Sequence, residues 1–558
     1  MNGEERLRAM SLTRGVLLIV TSIAVAPAVG PAQTGKTGAS SRVAGVVVSK
    51  ADGHPLMGAR VVVRDTKDPQ KFESVITAED GKFAFEDVPP GKYSLEGVKK
   101  GFISTFYDQH EQYSTAIVTG AGFDTENFVL KLPPDAVITG RVLDEAGEPV
   151  RHATVNLYIE NRREGVERVY PGHGAQTDDL GAYEITSLLP GTYFLSVRAT
   201  PWYAVHPRTD PEGSRPAGQT NSPSAADRSL DVAYPVTYYS DVTEADSATP
   251  IPIAGGERLQ IDVHLNPVPA LRVVFHVPGD DKHGFVSPQF EQPTFDGSTW
   301  IQNGGASMIA PGVMEITGLP AGHYNIRFPG SGGGEGAQMS GVDLSKDGEQ
   351  IDATKAEPLG TVKVTVQIPG ETSLPPGFSV GLRSGVRTVS GQALDEKGQA
   401  EISQVAAGRY QVFVWGREKP YFISHIAAEG AEVVGHTVTL GAASSASLVL
   451  TVVEGSVAVH GVVKRAGKPV AGAMVVLVPK DPEGKRDLFR RDQSDQDGTF
   501  VLPNAVPGSY SVLAIEGGWD LNWSEPGVIA VYAKHARPVE VRGDKELTLP
   551  DPVEVQSR

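Results

Sequence analysis

Cysteine is absent from all 558 residues. Disulfides and thiolate metal sites are therefore excluded, and an exported form of the chain has to be held together by packing rather than by staples. Positive charge is also scarce, with 50 basic against 67 acidic residues and a formal net charge of −17. There is no basic block, so nucleic acid is excluded as a natural partner. Long apolar runs are missing apart from Gly15 to Ala26, about a dozen residues and too short to span a bilayer comfortably. Helical periodicity is missing too: no amphipathic pattern of that spacing persists for three turns. The chain reads as all-β.

The single apolar run follows Arg6, Arg8 and Arg14 and leads into small residues as far as Ala32. That order describes a secretory signal peptide over residues 1–32, with cleavage after Ala28 or Ala32. Its removal takes away three basic and two acidic residues, leaving 526 residues of net charge −18. The expected mature protein is soluble, has no membrane span, and is secreted or resident in the periplasm or cell envelope.

What the chain does have is a repeat. Five times a glycine lies ten residues before a second glycine, with a tyrosine two residues later: Gly81, Gly91, Tyr93; Gly181, Gly191, Tyr193; Gly312, Gly322, Tyr324; Gly398, Gly408, Tyr410; and Gly498, Gly508, Tyr510. Fixed spacing with drifting sequence marks a structural repeat. Between the glycines the apolar residues alternate with period two, as in Phe83 and Phe85, Tyr183 and Ile185, Met314 and Ile316, Ala400 and Ile402, and Phe500 and Leu502. The stretch after the second glycine alternates again, so two strands per copy each send one face inward. We expect the two to form a hairpin, with both glycines free to take positive φ at its turns. Each tyrosine shares the parity of the aliphatics, which makes it a core ring whose hydroxyl can reach nearby backbone.

Ahead of three copies runs a second motif. Gly45-Val46-Val47-Val48 with Pro55-Leu56-Met57-Gly58-Ala59-Arg60-Val61 returns as Gly140-Arg141-Val142-Leu143 with Pro149-Val150-Arg151-His152-Ala153-Thr154-Val155. It returns again as Gly461-Val462-Val463-Lys464 with Pro469-Val470-Ala471-Gly472-Ala473-Met474-Val475. Together with the glycine-tyrosine signature this resembles the carboxypeptidase regulatory-like domain. The resemblance implies transthyretin-like, Ig-like β-sandwiches of about seven strands and a non-catalytic accessory role, with starch-binding and adhesin modules as fold relatives. The expected fold is a tandem array of about five β-sandwiches after the signal peptide. The expected units are 41–132, 135–267 with a long loop at 200–231, two divergent sandwiches at 268–357 and 358–454, and 455–556. Each is near the roughly 100-residue size of a small β-sandwich. Consecutive prolines at Pro133-Pro134 stiffen the first link.

Catalytic chemistry finds no footing. Gly377-Phe378-Ser379-Val380-Gly381 spells a nucleophile elbow, but that device needs a strand feeding a helix, and strand and turn residues follow here. The thirteen histidines include no zinc-binding pair; His110-Glu111 comes nearest and lacks its second histidine. Asp178, Asp395 and Asp495, each three residues before a first signature glycine, fit Asx-type turn bonding better than calcium ligation. The glycine run Gly330 to Gly336 lacks the lysine and helix of a phosphate cradle. No catalytic residue, metal site or cofactor is expected.

Binding has one candidate. The Pro-rich insertion is bordered by Trp202, Tyr203, Tyr234, Tyr238 and Tyr239, and tyrosine or tryptophan on loops offers flat apolar faces with polar edges. The expected function is an exported envelope scaffold, adhesin or interaction protein whose partners are other envelope or extracellular proteins. The alternative is a polysaccharide-binding protein using those five aromatics.

Overall fold

Alternation places Val43 and Val47 on one side of the first strand, and Phe128, Leu130 and Leu132 on one side of the last strand of the first unit. In the computed structural model all five are buried in one core. The structure describes residues 40–120, 122–162, 165–209, 228–277, 287–329, 336–371, 374, 377–385, 387–416, 421–454, 457–542 and 546–558. The signal peptide, the middle of the 200–231 loop and residues 330–335 of the glycine run lie outside them.

Five separate hydrophobic cores follow the chain, over Val43–Leu132, Ala136–Leu265, Leu271–Ile351, Val362–Val452 and Val457–Val555. Each lies between two sheets. In the first unit Lys82–Val88, Ser41–Ser49 and Phe128–Leu132 make one sheet. Phe72–Ile76, Arg60–Asp65, Gly91–Val98 and two short strands make the other. The last strand of the unit pairs parallel to its first, Gly45 opposite Phe128. The same closure recurs in the other four, including units three and four, where the proline-led motif is missing. In the fifth, Val553–Ser557 pairs with both Val457–Arg465 and Gly508–Glu516 and so ties the two sheets together along one side.

The five signature tyrosines are buried and Tyr324 is fully enclosed. Four of the hydroxyls donate to the carbonyl four residues back: Tyr93 to Pro89 at 3.1 Å, Tyr193 to Leu189 at 2.9 Å, Tyr324 to Pro320 at 2.6 Å and Tyr410 to Ala406 at 2.9 Å. The ring fills the core while its polar tip closes the preceding corner.

The hairpin expectation is corrected. Lys82–Val88 pairs with Ser41–Ser49, whereas Gly91–Val98 pairs with Arg60–Asp65 in the facing sheet. The same division holds in every copy. The signature is thus a corner that carries the chain from one sheet to the other. Alternation specifies which face of a strand is buried, not which neighbour it bonds, and two strands facing one core share that pattern whether paired or opposed.

The role of the second glycine is corrected with it. The first glycine has the expected left-handed φ in all five copies, 67° to 78°. In the connection that follows, the left-handed residue stands four places before the second glycine: Asp87, Ser187, Gly318, Gln404 and Asn504. Gly91, Gly191 and Gly322 have no positive φ. What all five second glycines share is the tyrosine ring lying over them, so that a Cβ at Gly91 would stand 3.3 Å from the Tyr93 ring and at Gly508 3.3 Å from that of Tyr510.

Candidate functional site: an aromatic seam and a latch between the first and last sandwiches

The Pro-rich insertion is clamped at its two ends. Val205 N donates to Leu230 O at 2.9 Å and the His206 ring bonds Asp231 at 2.9 Å. From there Thr209 reaches the third sandwich, donating N–H and hydroxyl to the buried Glu315 at 2.8 and 2.6 Å.

The five aromatics that border the insertion are not assembled into one exposed platform. Trp202 is 88 % exposed and meets Tyr203 edge-on at 89°. The hydroxyls of Tyr203 and Tyr234 both donate to the Glu145 carboxylate, the second at 3.1 Å, and Tyr234 is buried. Tyr238 is 2 % exposed and Tyr239 packs against the second core. The reason is the next sandwich. Phe295, at the tip of a hairpin of the third unit, inserts among Tyr158, Phe194 and Tyr238 with ring centroids 5.0, 4.8 and 5.7 Å away, and Asp296 accepts from Val169 N at 2.7 Å. Tyr238 is therefore part of a seam between sandwiches. Burial pushes its hydroxyl pKa up to about 12.

Further contacts join the third unit to the fourth, where Arg327 Nη2 donates to Gln404 O at 3.2 Å, and the fourth to the fifth, where buried His436 bonds Asp487 at 2.5 Å. The path then closes on itself, because the first sandwich sits on the fifth.

That closure is a latch built from side chains remote in sequence. Lys92 Nζ donates to Asp495 at 2.8 Å, to Asp497 at 3.1 Å and to the Thr499 hydroxyl. Beside it the backbone is engaged: Ala116 N donates to Asp495 Oδ1 at 2.9 Å, Val118 N to Gln496 Oε1 at 2.8 Å, and Gln496 N to Ala116 O at 3.0 Å. Gln493 Nε2 donates to Thr115 Oγ1 at 2.8 Å and Asp108 O at 2.5 Å. Burial pushes the Asp495 carboxyl up, against the pull of Lys92.

Arg491 forms the other half. Its side chain is 2 % exposed and makes a bidentate pair with Glu111 at 3.1 and 2.5 Å. The guanidinium carbon lies 5.2 Å from the Tyr113 ring centroid, 5.5 Å from Trp519 and 4.4 Å from Trp523. His110 stacks on Trp519 at 4.8 Å and 6°. A cation enclosed by three aromatic rings and forked onto a carboxylate is strongly oriented and costly to separate from its partner. Trp519 and Trp523 belong to the helical turns from Gly518 to His535, which cover the outer face of the fifth sandwich and build a second core with Met474, Val476, Leu513 and Ile515.

Asp495 distinguishes the latch from ordinary turn chemistry. Its counterparts close their own turns, Asp178 accepting from Leu180 N and Ala182 N, and Asp395 from Lys397 N and Gln399 N, all at 2.8 to 2.9 Å. The backbone turn at Asp495 is the same, with Gly498 N donating to Asp495 O at 2.8 Å. Its carboxylate serves the first sandwich instead. Sequence reasoning assigned Asp495 to its turn and set His110-Glu111 aside as an incomplete metal motif, so it missed the latch. The usable signal was Trp519 and Trp523, two of five tryptophans set four residues apart.

The string Gly377 to Gly381 runs into the strand Ser379–Ser384, not into a helix. Among the described residues no cluster of three histidine or acidic side chains has metal-binding geometry, and no helix is long and apolar enough to cross a membrane.

The carboxypeptidase regulatory-like domain family matches residues 42–130 and 137–211. No curated protein matches the chain. Among solved structures, the TIE protein of Bacillus anthracis is similar at 15% identity over 56% of this chain and 50% of that one, with a TM-score of 0.17. The minor pilin of Streptococcus agalactiae is similar at 14% identity over 41% and 96%, TM-score 0.20, and the shaft pilin of Lactobacillus rhamnosus GG at 8% over 41% and 98%, TM-score 0.18. The chain spans half the length of the first of these. The two matched segments carry the G-x-V strand, a proline-led strand (Pro55 to Val61 with Gly58, Pro149 to Val155 with His152 in the glycine's place) and the glycine-tyrosine corner, and it is over these segments that the chain matches the carboxypeptidase regulatory-like domain family.

Proposed function

We propose that the protein is a non-catalytic, exported scaffold in which five β-sandwiches are latched into one closed assembly that presents its outer loops to partners in the envelope or outside the cell. The observation that carries this reading is the junction of the first and fifth sandwiches. Lys92, Glu111, Arg491, Gln493 and Asp495 are committed to holding one sandwich on another. His436 and Glu315 do the same at other junctions. Side chains of the kind that carry proton transfer or anion binding elsewhere are here spent on architecture. The export and envelope location rest on the leader over residues 1–32. Fractionation of cells expressing the full chain tests this: the mature protein belongs in the periplasm, envelope or medium, and retention in the cytoplasm with the leader intact overturns it.

A polysaccharide-binding reading is favoured by one observation, the 88 % exposure of the Trp202 ring on a loop. A polysaccharide pull-down that is lost in Trp202→Ala supports it. Retention of unchanged binding removes Trp202 as the contact.

A further inference from the structure

A cleft of about 410 Å³ opens between the second and third sandwiches, lined by none of the rings of the aromatic seam and none of the latch side chains. That volume lies within the range of small-molecule sites, roughly 300–1,000 Å³. Its charged and polar lining includes His152, Arg198, His206, Trp300, Gln302 and Asn303. No aspartate or glutamate lines it, in a protein with 67 of them. Two carboxylates that meet lining residues are already engaged: Asp231 bonds the His206 ring at 2.9 Å, and Glu145 accepts from the hydroxyls of Tyr234 and Tyr203.

Arg198 holds the cationic charge of the cleft. Its Nη1 donates to Trp300 O at 2.8 Å, which fixes the guanidinium between the two sandwiches, while Nε has no partner and no salt bridge to Arg198 occurs among the described residues. A cation left without a carboxylate in a strongly acidic protein makes a local positive potential, and low-dielectric walls focus it. The Trp300 side chain is 45 % exposed at the same place, and the amides of Gln302 and Asn303 supply donors and acceptors beside it. Arginine for a carboxylate, an indole for a flat ring face and amides for ring substituents form a complementary set.

We propose that this cleft binds a small organic carboxylate carried on a ring with a flat apolar face. A uronic acid sugar and an aromatic acid share that chemistry. The proposal is independent of the scaffold reading, since it concerns one junction and would hold whether or not the latch closes.

Titration calorimetry on the full mature chain at low salt tests it with three probes: digalacturonate, 4-hydroxybenzoate and the neutral disaccharide galactobiose. We expect at least one of the two acids to bind and the neutral sugar not to. Affinity should fall at least tenfold in Arg198→Gln and in Trp300→Ala. Because Arg198 and Trp300 also join two sandwiches, His152→Gln serves as the second variant: its side chain makes no hydrogen bond among the described residues, so the fold is expected to survive and binding to weaken several-fold. Binding of the uronate alone or of the aromatic acid alone supports the site and names the source. No binding of either acid, binding of galactobiose as strong as that of the acids, or acid binding unchanged in all three variants overturns the proposal.

Discussion

Lys92 and Asp495 stand 403 positions apart in the chain and 2.8 Å apart in space, nitrogen to oxygen, with Asp497 accepting from the same ammonium. Both side chains are mostly covered, at 28 % and 21 % exposed, so the pair is better shielded from solvent than a surface ion pair. A tandem array would leave its first and last members far apart. This contact and the Arg491 cage beside it bring them together.

Breaking the cage should cost more than breaking the ammonium pair. Arg491→Ala leaves Glu111 without its forked partner and opens space among Tyr113, Trp519 and Trp523, and the loss of a largely buried pair is worth on the order of 3 kcal/mol. Arg491→Lys should recover little, since one ammonium cannot fork onto both Glu111 oxygens. Urea unfolding of the full chain measures both, and a Lys variant equal to wild type contradicts the geometry.

The three aspartates at one repeat position separate turn from latch. Asp178→Ala and Asp395→Ala each remove an acceptor for two backbone N–H groups and should lower the stability of their own sandwich by about 1 kcal/mol. Asp495→Ala should instead loosen the junction, with faster amide exchange at Ala116 and Val118 and little change at Gly498. Hydrogen exchange resolved by peptide distinguishes the two patterns.

Asp492 makes stability depend on pH. Burial raises its carboxyl from 3.8 to about 6, so between those values the folded state holds a proton that the unfolded chain releases. Stability from this group therefore rises as pH falls from about 7 through 6 toward 4, and is lost above 6. Asp492 accepts from Val501 N at 2.6 Å and its residue is only half-buried, which discounts the effect to roughly 1 kcal/mol. Asp492→Asn should raise the melting temperature at pH 7.5 and flatten its dependence on pH over that window. A wild-type melting temperature that falls steadily from pH 7 to 5.5, with the variant following it, contradicts the assignment.

The corner signature can be tested at its two tightest points. Tyr324→Phe strands the Pro320 carbonyl in a fully buried site and should cost about 1–2 kcal/mol. Gly498→Ala forces a side chain onto φ 78° with its Cβ 2.5 Å from Val463 O, and should cost at least as much. Thermal melting compares them, and a neutral Gly498→Ala contradicts the turn geometry.

How far the fold was legible follows from what each pattern encodes. Period-two alternation at Phe83, Phe85 and Tyr93 reports which side of a strand meets the core, and that side is buried in the structure. It carries no information on partners, so Lys82–Val88 and Gly91–Val98 read as one hairpin although they lie in facing sheets. The spacing from glycine to tyrosine was legible, but its cause was not: the ring over Gly91 and the left-handed Asp87 appear only once the corner is built. Polar contacts such as Gln493 to Thr115 have no period at all. Tyr238 shows the same limit from the other side, since an aromatic beside a loop looks alike in sequence whether it faces solvent or receives Phe295.

The most direct test of the closed assembly is small-angle X-ray scattering of the mature chain beside the Lys92→Met, Arg491→Ala double variant, both confirmed as folded by circular dichroism. The latch predicts a wild-type radius of gyration nearer the roughly 24 Å of a compact chain of this length than that of a file of five sandwiches. It further predicts a clear increase in the longest intramolecular distance in the double variant. An extended wild-type profile that the two substitutions leave unchanged would contradict it.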